Sequence, residues 1–127
     1  TAQKVEWKMP RSTLRNLAVS DNELLVTLDD GVVVALDQKT GIEVWKQDRL
    51  KGRGVTNPIV IPGSKYCVAG DYQGYVHVMD VNTGQLKGRG RVRAGAIMAT
   101  SVSQDFEGFY TLSEQGTITA WLLDEGS

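Results

Sequence analysis

The sequence predicts an all-β fold built from a repeated unit. Three segments align on a glycine, at Gly31, Gly74 and Gly116, and these glycines are 43 and 42 residues apart. In each segment the glycine lies in a tight turn between two runs rich in β-branched residues, which is typical of a β-hairpin. No stretch carries apolar residues at helical spacing with a cap at each end, so we expect essentially no helix.

Each predicted hairpin belongs to a larger unit of four strands. A short extended run precedes every hairpin, and a second turn and a fourth strand follow the first two. Four antiparallel strands in about 42 residues are the size of one β-propeller blade. We therefore interpret residues 1–127 as one partial β-propeller domain, with a blade at about 15–48, a second at about 55–93 and an incomplete third at about 96–124.

The second strands of the hairpins indicate how neighbouring blades stack. Two equivalent positions on one face of the strand carry small or branched side chains in all three units, namely Val33, Val76 and Ile118, then Ala35, Val78 and Ala120. Side chains of this size let two sheets approach face to face.

The two ends of the chain do not match the four-strand unit. Residues 3–9, around Trp7, resemble the outer strand of a preceding blade because apolar and charged residues alternate there. The third unit ends near Leu123 with no fourth strand. Propellers close with about four to eight blades, so we expect the C-terminal portion of a larger ring. A self-contained three-blade domain is the alternative, although its terminal sheets would expose apolar faces.

Unpaired sheet edges at both ends predict self-association. An exposed edge tends to find a partner strand. Two copies that exchange the strand Lys4–Met9, or that stack their terminal blades, would cover these edges at low cost. We therefore expect the isolated chain to form a dimer.

Composition excludes several classes of protein. A hydrophobic content of 41% is that of an ordinary globular protein. Fourteen basic and fifteen acidic residues leave a net charge of −1, which argues against a nucleic-acid partner held through its phosphates. No apolar run approaches the roughly 20 residues of a membrane helix, and the N-terminus carries no readable secretion signal.

Basic residues at alternate positions form two local clusters: Arg49, Lys51 and Arg53, then Lys87, Arg89, Arg91 and Arg93. Alternate spacing places each cluster on one side of an extended strand. We interpret both as solvated sheet edges that discourage aggregation.

The residues that most often carry chemistry occur singly. Cys67 lies in an apolar run, so a buried structural thiol is favoured over a nucleophile. His77 is the one histidine, which excludes an imidazole cluster for zinc or iron. Its place in the middle of a strand favours a single hydrogen bond over a proton shuttle. The sequence therefore predicts no catalytic residue, no cofactor and no metal, and we expect no enzymatic activity.

The segment from Ala35 to Trp45 resembles the quinoprotein-type blade motif, Ala-x-Asp-x-x-Thr-Gly followed by Trp. Its fixed residues are Ala35, Asp37, Thr40, Gly41 and Trp45. The resemblance implies that the tryptophan packs between adjacent blades and that the aspartate and Thr-Gly pair shape a turn. The second unit keeps Asp80, Thr83 and Gly84 but has Gly88 in place of the tryptophan. The motif is structural and implies no bound quinone.

A narrower resemblance covers residues 49–84. The pattern Gly-Asp-x-x-Gly-Tyr-x-His, which begins at Gly70 and Asp71 and continues through Gly74 to His77, is similar to the late blades of the BamB family. The resemblance implies an eight-bladed ring at the periplasmic face of the outer membrane of a Gram-negative bacterium. It also implies an N-terminal lipid anchor absent from this chain, and binding to the periplasmic domains of the BamA barrel insertase. The main BamA-contacting loops of that family lie on earlier blades.

Two functions remain open. A non-catalytic scaffold for outer-membrane protein assembly requires short loops on a rigid ring, and the alternative is a fragment of a quinone-dependent dehydrogenase with the same blade. Most aspartates fall in turns, where they bind their own backbone, which favours the scaffold. Candidate partner contacts are Tyr72, Gln73 and Phe106, and local packing under a loop is the alternative interpretation for each.

Overall fold

The computed structural model of the chain describes residues 14–28, 31–56 and 58–123. Within them the chain forms eleven β-strands and no helix, so the predicted all-β fold is confirmed. This part of the chain therefore contains no helix that could span a membrane. The predicted outer strand at 3–9, with Trp7, lies outside the described residues, as does the last position of the third predicted blade, Asp124.

The strands form three antiparallel sheets, in which neighbours along the chain are also neighbours in the sheet. The first sheet contains β1 (Leu14–Val19), β2 (Glu23–Leu28), β3 (Val33–Asp37) and β4 (Glu43–Gln47). The second contains β5 (Ile59–Val60), β6 (Tyr66–Gly70), β7 (Tyr75–Asp80) and β8 (Leu86–Arg91). The third contains β9 (Ile97–Ser101), β10 (Gly108–Ser113) and β11 (Ile118–Leu122).

The core lies between successive sheets. Val33 and Ala35 of β3 are fully buried and pack with Cys67 and Met79 of the second sheet. The other face of the second sheet, with Val68 and Val76, packs against the third through the residues Phe109 and Trp121. Ile118 and Ala120, the third pair of predicted stacking residues, are exposed. The second sheet thus packs one face against the first sheet and the other face against the third.

The glycines that define the repeat all have positive φ, 93° at Gly31, 87° at Gly74 and 85° at Gly116. At Gly74 a side chain is also excluded by space, because a Cβ atom there would collide with the main-chain oxygen of Val92. The hairpin turn and the connection that leaves β8 therefore pack backbone to backbone, an approach that only glycine permits.

The turn between the third and fourth strands has the same construction in the first two sheets. Asp37 Oδ1 accepts hydrogen bonds from the amides of Lys39 and Thr40, at 2.8 and 3.0 Å. These two main-chain hydrogen bonds hold the pKa of Asp37 below its ordinary value. In the second sheet Asp80 Oδ1 accepts from the amide of Asn82 at 2.7 Å. Both turns then place a glycine at positive φ, which is 77° at Gly41 and 76° at Gly84.

Candidate interaction surface

Trp45 joins the first sheet to the second. Its indole Nε1 donates a hydrogen bond to the main-chain oxygen of Val81 at 2.7 Å, and its ring covers Gly84 so closely that a Cβ atom there would collide with it. Gln47, two residues along the same strand, donates from Nε2 to the main-chain oxygen of Gly84 at 2.7 Å. Residues of β4 therefore fix the position of the turn between β7 and β8.

The contact between the second sheet and the third is made by a tryptophan of the later sheet. Trp121 of β11 reaches back across the interface, where its ring lies 2.5 Å from the position that a Cβ atom on Gly90 would occupy. It stacks nearly parallel to Phe109, with ring centroids 5.7 Å apart, and donates to Thr111 Oγ1 at 3.0 Å. No sequence pattern predicts this contact, because Trp121 lies outside the blade motif.

Asp71 forms the centre of a buried polar cluster at one end of the second sheet. The carboxylate is fully buried, and its Oδ2 lies 2.8 Å from Nε2 of His77 and 3.3 Å from Nη1 of Arg53. Its Oδ1 accepts from the amides of Gln73 and Tyr75 at 2.9 and 3.0 Å. Burial alone would raise the pKa of Asp71, but the hydrogen bonds from His77 and these two amides outweigh burial and lower it.

This cluster holds the connection at residues 48–56 against the hairpin of β6 and β7. The amide of Tyr72 donates to the main-chain oxygen of Arg53 at 3.1 Å, and the amide of Thr56 donates to that of Gly70 at 2.8 Å. His77 is a buried mid-strand residue bonded to Asp71, which is the single hydrogen bond that its place in the strand predicts. The cluster positions the loop and the hairpin tip that it supports.

Cys67 is a fully buried free thiol in β6. Burial, assisted by the charge of Asp80, raises the pKa of this thiol to about 12. A thiol that stays protonated at neutral pH is a poor nucleophile. The burial predicted for Cys67 is confirmed.

Members of both clusters of basic residues line one cleft. Lys87, Arg89 and Arg91 are exposed along β8, the edge strand of the second sheet. The prediction of an extended strand is wrong for the residues at 49–53, which form consecutive turns with positive φ at Gly52. These turns bring basic side chains over the cleft, whose volume is about 610 Å³ and whose lining consists of Arg49, Leu50, Arg53, His77, Leu86, Lys87, Gly88 and Arg89.

Tyr75 organises part of this basic surface. The guanidinium carbons of Arg89 and Arg91 lie 4.8 and 4.9 Å from the centre of its ring, a distance at which a cation is attracted to the face of the ring. Arg91 Nε also donates to the main-chain oxygen of Gln73 at 3.3 Å. These contacts hold two positive charges at the outer end of the hairpin.

The candidate partner contacts have different surroundings. Tyr72 is 54% exposed at the hairpin tip, and Gln73 beside it is exposed and lies within hydrogen-bonding distance of the Tyr72 hydroxyl, at 3.4 Å. Phe106 is half-buried and stacks on Tyr110 with ring centroids 4.8 Å apart, so it packs under its own loop. Tyr72 and Gln73 therefore stay candidates for a partner contact, whereas the surroundings of Phe106 favour local packing.

An apolar face is exposed on the third sheet. The side chains of Ile118 and Leu122 are 74% and 75% exposed, and those of Tyr110 and Leu112 on the adjacent strand are 36% and 40% exposed. In the first sheet the positions equivalent to Ile118 and Tyr110 are Val33 and Leu25, which are fully buried against the second sheet. The third sheet thus presents the kind of face that a further sheet covers.

No group of three or more metal-binding side chains is placed to hold an ion among residues 14–28, 31–56 and 58–123. The oxygens of Asp37, Asp71 and Asp80 accept hydrogen bonds from main-chain amides of their own turns. These three carboxylates therefore stabilise turns. The surface instead offers a hairpin tip and a positively charged cleft, both of which suit contact with another macromolecule.

Comparison with known proteins gives a consistent family. Residues 2–127 match the family model described as outer membrane protein assembly factor BamB. The BamB of Legionella pneumophila (strain Paris) is 35% identical over 112 residues, which are 88% of this chain and 28% of that protein. The BamB of Francisella tularensis is 37% identical over 86 residues, which are 68% of this chain and 18% of that protein. The chain thus spans less than a third of these curated relatives.

Solved structures agree on the architecture. The crystal structure of BamB from Moraxella catarrhalis has a TM-score of 0.75 and 32% identity, over 84% of this chain and 30% of that one. The WD40 repeats of RRP9 have a TM-score of 0.82 but only 14% identity, over 94% of this chain and 38% of that one. The second likeness concerns the propeller fold alone.

Proposed function

The chain belongs to the BamB family of outer membrane protein assembly factors, and from this membership we propose that it is part of a non-catalytic scaffold. The scaffold is an eight-bladed propeller at the periplasmic face of the outer membrane of a Gram-negative bacterium, attached by a lipid anchor. It supports the folding and insertion of outer membrane proteins by binding the periplasmic domains of BamA. This chain supplies about three of the blades.

The observation that carries this proposal is the way the sheets are locked together. Trp45 and Gln47 of one sheet bond to main-chain oxygens of the next, and the buried cluster around Asp71 fixes the connection that follows. Such a frame keeps surface loops in fixed relative positions, which is what a scaffold requires. The motif aspartates Asp37 and Asp80 accept hydrogen bonds from main-chain amides of their own turns, which supports a structural role for them.

Within the scaffold, we assign the partner-facing surface of this chain to the hairpin tip at Tyr72 and Gln73 and the basic cleft beside it. An exposed tyrosine next to arginine side chains is a common composition for an interface. Positive charge on β8 and the facing loop favours an acidic surface on the partner.

A pull-down of the BamA periplasmic domains by the full-length parent protein tests the proposal. Wild-type protein should capture them. The double substitution Tyr72→Ala with Gln73→Ala should reduce capture. Lys39→Ala, an exposed control in the turn between β3 and β4 of the first sheet, should leave capture unchanged. Failure of the wild-type protein to capture the domains would contradict the proposed function. Unchanged capture by the double variant would remove only the assigned surface.

For the isolated chain we also propose self-association, most simply as a dimer. The exposed face of β10 and β11 supports this, because Tyr110, Leu112, Ile118 and Leu122 together form an uncovered apolar patch. In the parent protein the same face would be covered by a neighbouring blade, so that the intact scaffold works as a monomer within its complex.

A further inference from the structure

The position of Gly88 in the second sheet is equivalent to that of Trp45 in the first. Trp45 lies opposite Ala35 in the ladder of β3 and β4, and Gly88 lies opposite Val78 in the ladder of β7 and β8. A side chain at 88 would therefore extend from the face of the second sheet that meets the third. A Cβ atom built on Gly88 meets no atom within 4 Å among the described residues. We call the interface between the first and second sheets the first joint, and that between the second and third sheets the second joint. The space that the indole of Trp45 fills at the first joint is open at the second.

This open space is a cleft of about 480 Å³ with an aromatic wall. Val76 and Val78 of β7 form one side, and Phe109 and Trp121 of the third sheet form the other. Trp121 does not fill the cleft because its ring lies over Gly90, two residues further along β8. A flat apolar group entering beside Gly88 would meet two stacked rings, an arrangement that aromatic side chains favour.

The main chain at Leu123 completes the resemblance to the first joint. At that joint the acceptor for the indole of Trp45 is the main-chain oxygen of Val81, the residue that follows the last residue of β7. Leu123 follows the last residue of β11 in the same way and lines the cleft. An indole in the cleft would thus find a main-chain oxygen at the place where Trp45 finds one.

The residues at the rim of the cleft are positively charged and favour a negatively charged ligand. Lys87 and Arg89, which flank Gly88, are exposed and line the cleft together with the apolar residues. No carboxylate occurs among the described residues that line it. A polypeptide that inserts an aromatic ring here would gain from acidic residues next to that ring.

We propose that this cleft binds the side chain of a tryptophan flanked by acidic residues in a partner polypeptide. The ring takes the place beside Gly88 that Trp45 takes at the first joint, and the flanking carboxylates lie near Lys87 and Arg89. Lys87, Gly88 and Arg89 line both this site and the basic cleft assigned above to the partner surface, but the aromatic wall belongs to this site, and the proposal does not depend on that assignment.

The blocked peptide Ac-Glu-Trp-Glu-NH2, titrated into the chain, tests the proposal. Binding is followed through the NMR signal of the Trp121 indole N–H. We expect a saturable shift of that signal with this peptide and none with Ac-Glu-Ala-Glu-NH2. The substitution Gly88→Trp should fill the cleft from within, raise the Tm and weaken peptide binding by about tenfold or more, since it removes the place for one ring. Gly88→Ala leaves most of the space open and should bind like the wild type.

Charge reversal gives a test that does not rely on folding of the filled variant. Lys87→Glu changes an exposed side chain and should weaken binding of the acidic peptide, with a smaller effect in high salt. Absence of a saturable shift in the wild type would overturn the proposal, and so would undiminished binding to a folded Gly88→Trp protein. A lower Tm in Gly88→Trp without any peptide binding would show that another segment of the same polypeptide already occupies the cleft, and this result also overturns it.

Discussion

The indole nitrogen of Trp45 in the first sheet donates a 2.7 Å hydrogen bond to the main-chain oxygen of Val81 in the second. The same ring lies against Gly84, which ends the turn that Val81 begins. A single side chain therefore satisfies a main-chain acceptor and covers a glycine across the interface between two sheets. Several properties of the chain depend on this contact.

Two replacements of Trp45 should lower the free energy of unfolding by different amounts. Trp45→Phe keeps most of the packing but leaves the Val81 oxygen without its partner, which should cost about 1 kcal/mol. Trp45→Ala also leaves a cavity and should cost about 3–5 kcal/mol. Urea unfolding followed by fluorescence measures both. Equal losses for the two variants would show that the ring contributes little beyond its hydrogen bond.

The substitution Gly84→Ala tests how closely the Trp45 ring packs against residue 84. The new methyl group would collide with Trp45 and should cost roughly 1–3 kcal/mol from overpacking, in addition to the strain of alanine at a positive φ. Gly63→Ala is the matched control, because Gly63 has a similar φ of 73° but no atom within 4 Å of the added carbon. Combining Gly84→Ala with Trp45→Ala should cost less than the sum of the two changes. Strict additivity would mean that the two sites do not touch.

Asp71 should make stability depend on acid pH. Its pKa is lowered on folding because the bonds from His77 and two amides outweigh burial. A lowered pKa stabilises the folded state above the ordinary pKa of aspartate, near 3.9, and this stabilisation is lost as the pH falls through the lowered value. The difference in unfolding free energy between wild type and Asp71→Asn should therefore shrink as the pH falls below about 4. Asp105→Asn, at an exposed acid, is the control. A difference that does not change with pH would contradict the prediction.

Cys67 should resist alkylation while the chain is folded. Its pKa of about 12 and its full burial leave almost no accessible thiolate at neutral pH. Iodoacetamide should modify it only after urea unfolds the chain, as mass spectrometry would show. A Ser101→Cys variant, with its new thiol at an exposed position, should be modified once without urea. Rapid modification of Cys67 in native wild-type chain would show that β6 opens readily.

Self-association of the isolated chain should depend on the apolar face of the third sheet. Ile118→Asp places a charge on that face and should shift the population toward a mass of 13.9 kDa in sedimentation experiments at several concentrations. Ile42→Asp, at a residue that is 68% exposed just before β4 of the first sheet, should not change the association. A wild-type chain that is monomeric at every concentration would end the dimer proposal.

The fold was accessible from the sequence because its determinants are local and repeated. A glycine at a regular interval marks the hairpin, and the positive φ of Gly31, Gly74 and Gly116 is the physical reason that glycine is there. The motif aspartates were equally readable, since Asp37 and Asp80 bond to amides within three residues. Patterns of this kind do not require knowledge of which segments meet in space.

Of the features that were missed, one depends on local backbone conformation and the others on contacts between distant segments. Alternate spacing at Arg49, Lys51 and Arg53 looks like a strand, but the glycines at 52 and 54, with φ of 80° and 60°, turn the chain instead. The bond from Arg53 to Asp71 joins residues 18 apart through that turn. Trp121 carries no motif around it, and only the stacked sheets show that it reaches Gly90. The cleft beside Gly88 exists because of that placement.

The two joints differ in which side provides the large ring. At the first joint the indole comes from the earlier sheet, as Trp45, and at the second from the later sheet, as Trp121. The two rings cover different glycines of the second sheet, Gly84 for Trp45 and Gly90 for Trp121. A ring from either neighbouring sheet can thus hold two sheets together. The sheet that supplies the ring decides which part of the interface stays accessible, and at the second interface that part is the space beside Gly88.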